Sequence, residues 1–226
     1  MNNSSMMTRL LSFTAGFVDT IGFLGLQGLF AAHVTGNFVT LAAAFVYGAH
    51  GTIGKILALP EFIGVVALVR LASTALSARG KPTLTILLCA EAVLLAIFLA
   101  FGVTFGPFLN SDVAPALAAG FAGVSAMALQ NAMQRIHFAG EPPTAIMTVN
   151  VTQAVLDGVD LLRRVEGPEV RARFLRLVRG ISWFAAGCAI AAVLYHLFLF
   201  WSLALPVAIA IGLVVARMRE ARAVQQ

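Results

Sequence analysis

The sequence predicts an all-α polytopic membrane protein: six transmembrane helices plus two short re-entrant or broken helices, arranged as an inverted repeat. Three observations predict it. The 226 residues are 60% hydrophobic and only 11% charged, with a mean hydropathy of +0.92. Soluble domains carry about twice that charge. Apolar runs near twenty residues recur, long enough to cross roughly 30 Å of hydrocarbon. One pattern, Ala15-Gly16-Phe17 followed by Thr35-x-Asn37, returns in the second half as Ala119-Gly120-Phe121 and Thr148-x-Asn150. A single soluble core could not hide so many apolar runs.

The N-terminus, basic at Arg9 and then apolar, has the outline of a signal peptide. Asp19 inside that run, and the spans that follow, make residues 10–30 the first transmembrane helix instead. A polar break, His33-Val34-Thr35-Gly36-Asn37, introduces a short segment, 35–48. Long spans follow at 57–78 and 83–105. The second unit repeats the order: long at 113–134, short at 144–157, long at 180–198 and 199–216. The repeat units are therefore 9–105 and 113–217 of a single membrane domain.

Charge sets the topology. If both short segments dip in and return, thirteen of the fifteen Lys and Arg lie on one side, with Lys55 opposite and Arg70 inside a span. If both cross, Arg79, Lys81 and Arg135 move to the other side. The first arrangement obeys the positive-inside bias better and places both termini in the cytoplasm. It also makes the two units inverted, a plan common among secondary transporters.

The residues that could carry chemistry are few. Asp19 is a carboxylate inside a span, costly unless it faces a partner or a water-filled cavity. Arg70 and Glu91 lie at equal distances from the 79–82 turn, so a short loop predicts that they pair near the bilayer centre, with Asp19 at similar depth. His33, Thr35 and Asn37 form one break; Thr148 and Asn150 form the other. Non-helical backbone at membrane depth needs such side chains or a cavity. Gln27, Gln130, Asn131 and Gln134 either line the same path or join helices by hydrogen bonds. Arginines and apolar residues alternate at helical spacing between Arg163 and Arg179, with Val170, Phe174 and Leu177 on one face, which predicts an interfacial helix on anionic lipid. Tyr195 and Trp201 fit an aromatic belt.

The basic pI does not indicate nucleic acid, because no aromatics interleave with the basic clusters. Cys89 and Cys188 sit in apolar runs and read as small core residues. No metalloprotease, nucleophile-elbow or phosphate-loop motif is present, so neither catalysis nor a cofactor or metal is expected.

The run Ala15-Gly16-Phe17-Val18-Asp19, then Gly22-Phe23, then Gly28-Leu29-Phe30-Ala31-Ala32-His33-Val34-Thr35-Gly36-Asn37, resembles the YoaK-like family of uncharacterised bacterial integral membrane proteins. The likeness extends over most of the chain, including Leu129-Gln130-Asn131 and Pro142-Pro143-Thr144. Val149 stands where the first half has Gly36. The resemblance implies an inner (plasma) membrane location and this span count, and names no substrate. The expectation from the residues is a small-solute transporter or channel, with a non-transporting scaffold or accessory subunit as the alternative, and with homo-oligomerisation left open.

Overall fold

The computed structural model describes residues 3–48, 51–164 and 167–223. Among them are eight α-helices, one 3-10 turn and no strand. In chain order they are α1 (Asn3–Gly25), α2 (Gly36–Tyr47), α3 (Thr52–Ala78), α4 (Thr83–Phe105), α5 (Ala114–His137), α6 (Met147–Leu162), α7 (Pro168–Phe198), the turn Leu199–Leu203, and α8 (Ala204–Ala223).

Four helical stretches are long and apolar enough to cross a membrane: Thr52–Ala78, Thr83–Phe105, Ala114–His137 and the run Pro168–Arg222, which contains α7, the 3-10 turn and α8. α1 is not among them, since Thr8, Arg9, Ser12, Thr14 and Asp19 dilute its apolar character. It is nonetheless deep in the bundle, with Leu11, Ala15, Phe17, Val18 and Ile21 all buried.

The helices stop for local reasons. α3 ends in a turn where the Lys81 N–H reaches back to the Leu76 carbonyl and the Gly80 N–H to Ser77. Gly80 adopts φ 63°, which a side chain disfavours. α5 opens with Pro115 in its first turn, where a missing N–H costs nothing, and closes with Arg135 and His137 at its negative dipole end. α1 stops at Gly25, earlier than the sequence predicts. Gln27 and Gly28 take left-handed backbone, so residues 26–30 leave the helix although they are still apolar.

Packing follows a definite pattern. α1 lies along α7, α3 along α5, and α4 between α5 and α8; α2 rests on α3, and α6 rests on α7. The α1–α7 seam is the tightest. Gly16 backs onto the Phe184 carbonyl and Gly187 onto the Phe13 carbonyl, so neither position has room for a Cβ. Small residues let membrane helices approach this closely.

The two ends of the bundle are distinct. At one, Gln27 donates to the Leu109 carbonyl (2.8 Å) and accepts from the Ser111 N–H (3.1 Å). Asp112 accepts from the Gly51 and Ile53 N–H groups at 2.9 Å each. Phe200 fills the space left by Gly25, Gly102 and Gly106, edge-on to Phe98, Phe108 and Tyr195. At the other end Ser4 and Met7 meet residues 82–85, His137, Phe138, Arg217 and Glu220 around one depression.

The basic stretch departs from expectation. Residues 168–179 are not a separate surface helix but the first turns of α7. Val170 and Leu177 are buried, and half-buried Phe174 packs on Gly158 of α6, so protein covers part of the apolar face. Arg173 forks onto Asp157 of α6 at 2.7 and 2.8 Å, and that guanidinium holds the Asp157 carboxyl below the usual carboxylate range. Positions 165 and 166 of the stretch lie outside the described residues. Cys89 is exposed rather than in the core, whereas Cys188 faces the Gly16 carbonyl at 3.4 Å.

Candidate functional site

The two polar breaks are built alike. In the first, the chain leaves α1 and re-enters helix at Gly36. Asn37 is 1% exposed; its Oδ1 accepts from the Phe30 N–H and its Nδ2 donates to the Phe30 carbonyl, both at 2.8 Å. Asp19, buried on α1, accepts from the N–H groups of Ala32 (2.8 Å) and His33 (3.3 Å) with one carboxylate oxygen. Backbone groups that no helix satisfies are thus paired by two side chains.

The second break repeats the device with one bond fewer. Asn150 donates Nδ2 to the Pro143 carbonyl at 2.7 Å, the same seven-residue reach. Proline has no N–H to return, and Asn150 Oδ1 has no hydrogen-bond partner among the described residues. Gln130, fully buried, donates to the Leu11 carbonyl and to Thr144 Oγ1 at 3.0 Å each. Gln134 donates to the carbonyls of Phe138 (3.3 Å) and Glu141 (3.1 Å). Gln134 thus holds the loop after α5, and Gln130 joins α5 to α1 and to Thr144.

This asymmetry has a measurable outcome. Asn37→Ala removes both bonds and orphans a peptide group, at a cost of about 2–3 kcal/mol; Asn150→Ala removes one backbone bond, a long contact to Met147 Sδ (3.8 Å) and an unpaired oxygen, at about 1 kcal/mol or less. Thermal unfolding of the two variants in detergent should rank them in that order. Equal losses would mean the second break carries a partner for Asn150 Oδ1.

The remaining candidates do not share one centre. His33 is exposed and meets Phe30 edge-on at 5.9 Å; Thr35 and Thr148 are also exposed. Asp19 sits six residues before the end of α1 at Gly25, about 9 Å from that end. Glu91 sits eight residues from the opposite end of its own helix, about 12 Å in. α1 and α4 are not packed together.

The expected Arg70–Glu91 pair is absent among the described residues. Their depths along their helices match, as the sequence implies, but α5 packs along both helices, whereas α3 and α4 barely touch each other. Arg70 is exposed. Glu91 is 1% exposed, near buried Leu87, Leu88 and Leu95, and neither of its oxygens has a hydrogen-bond partner among the described residues. Arg70 instead lines a cleft with Asn131 and Arg135.

One group escaped the sequence reading. Glu61, half-buried inside α3, accepts from Ser125 of α5 at 2.7 Å through Oε1, and its buried Oε2 has no hydrogen-bond partner among the described residues. A glutamate directly after Pro60 in an apolar run was the available signal.

Together, buried carboxyls, side-chain-closed breaks and long apolar helices define a helical membrane protein with internal polar groups. No group of three or more His, Cys, Asp or Glu that could hold a metal occurs among the described residues. The chain belongs to the family described as "Protein of unknown function (DUF1275)", which matches residues 7–216. No curated protein and no solved structure matches it.

Proposed function

We propose that this protein is a small-solute transporter or channel of the bacterial inner membrane, with six spans, two re-entrant helices and both termini cytoplasmic. The observation that carries the reading is the packing pattern. Exchanging α1–α4 for α5–α8 turns the α1–α7 seam into α5–α3, and α2 on α3 into α6 on α7. It leaves α4–α8 in place. The two asparagine-closed breaks enter from opposite ends: the first lies with Gln27, Gly51 and Ser111, the second with Arg9, Arg176 and His137. Such a relation supports an inverted repeat, in which polar groups between the units form the solute path. Glu61 with Ser125 and the unpartnered Glu91 are the groups assigned to that path.

The alternative, a scaffold or accessory subunit, draws on a different observation. Asp19, Asn37 and Gln134 all spend their hydrogen bonds on the backbone, as structural groups would. In either case the exposed Arg163, Arg164, Arg171 and Arg179 would face anionic headgroups.

Proteoliposomes loaded with a panel of ions, amino acids and sugars separate the two. A transporter or channel moves at least one solute, and Glu91→Leu abolishes that flux. A panel with no flux above protein-free vesicles would favour the scaffold.

A further inference from the structure

We propose that the cleft between α3 and α5 is a binding site for an anionic amphiphile, a phosphate headgroup carrying an acyl chain. The cleft holds about 350 Å³. Its polar lining is Arg70, Arg135 and Asn131; its walls include Phe62, Val66 and Ile146. No acidic residue lines it, and neither arginine has an ion pair or a side-chain hydrogen bond among the described residues.

The position makes this pairing informative. Arg70 is eight residues from the C-terminal end of α3, about 12 Å in, and Arg135 is two residues from the end of α5, about 3 Å in. Asn131 lies between them in depth. Phe62, Val66 and Arg70 follow one face of α3 at four-residue steps. A guanidinium at Arg70's depth on an apolar helix is costly unless something neutralises it. No carboxylate is among the residues that line the cleft. Two guanidiniums suit a phosphate, which accepts paired N–H bonds from each. The apolar walls suit a chain running from that headgroup toward the bilayer. The cleft is also distinct from the basic start of α7, which lies on α6. The inference concerns binding and does not depend on transport.

The test is binding of dioctanoyl phosphatidic acid to the purified full-length chain in detergent, followed by native mass spectrometry. One lipid per chain is expected. Arg70→Gln with Arg135→Gln should weaken it about ten-fold or more, the loss expected for charge-assisted hydrogen bonds. Val66→Trp, which fills the cleft and leaves the charges, should weaken it as well, while Arg219→Gln with Arg222→Gln, on the exposed last turns of α8, should leave it unchanged. Size-exclusion profiles check that each variant is folded. Two results would overturn the proposal: binding by the double variant within about two-fold of wild type, or displacement of the lipid by an equal concentration of inorganic phosphate, which would assign the arginines to free anions.

Discussion

Gly187→Ile is expected to be the most damaging single substitution in the bundle. A Cβ at Gly187 would fall on the Phe13 carbonyl and close to the Phe17 nitrogen. These are backbone atoms of a helix and cannot turn aside as a side chain can. α1 and α7 must therefore separate, and the buried run Phe13, Phe17 and Ala191 loses its contacts. Overpacking in a well-packed interior costs about 1–3 kcal/mol, and a backbone clash lies at the upper end or beyond. The variant should unfold at lower denaturant or aggregate on extraction. Gly64→Ile, on an open face of α3 where nothing lies within 4 Å, is the control and should be nearly silent. If both variants behave alike, the α1–α7 seam is not as close as described.

Glu91→Leu is expected to do the opposite to stability and the same to function. The side chain is 1% exposed, and neither oxygen has a hydrogen-bond partner among the described residues. Burying a polar group without a hydrogen bond costs about 1–3 kcal/mol. Leucine has a similar reach and would pack among Leu87, Leu88 and Leu95. The variant should therefore gain about 1–2 kcal/mol, read as a higher midpoint of thermal unfolding in detergent. Under the transporter reading, flux is lost although the protein is more stable. That combination separates a working carboxyl from a structural one, since removing a structural carboxyl lowers stability. A clear drop in the midpoint would show that Glu91 has a stabilising partner.

The contrast between these two residues also explains what could be read from the sequence. Depth along a helix is legible, because residues rise at a fixed step; Arg70 and Glu91 do match in depth. Lateral neighbours are not legible, because chain order says nothing about α5 entering beside both α3 and α4. The bounds of α4, 83–105, were readable to the residue, since Lys81 and Pro82 precede it and Gly106 and Pro107 follow. The end of α1 was not, because Leu26, Leu29 and Phe30 stay apolar after the backbone has left the helix at Gly25. Hydropathy records burial, and burial continues there. Asn37 and Asn150 were visible as polar residues in apolar surroundings. Their seven-residue closures were not, because the partner is a backbone carbonyl that every residue has. The role of Glu61 was not legible, because its partner Ser125 lies 64 residues away on another helix.

Under the proposed function both short helices return to the side they came from, so that the two units are inverted. The most direct test is cysteine accessibility in intact bacterial cells. Cys89 and Cys188 are first replaced by alanine. Single cysteines then go to Leu109, which is 89% exposed, and to the exposed positions Lys81 and Ala139. Lysine labelling would serve less well, because Lys55 is only 4% exposed. A membrane-impermeant maleimide should label Leu109→Cys and leave Lys81→Cys and Ala139→Cys unlabelled until the membrane is opened. Labelling of the Lys81 and Ala139 positions without Leu109 would mean that the short helices cross, that the units are parallel, and that the inverted-repeat basis for transport is wrong.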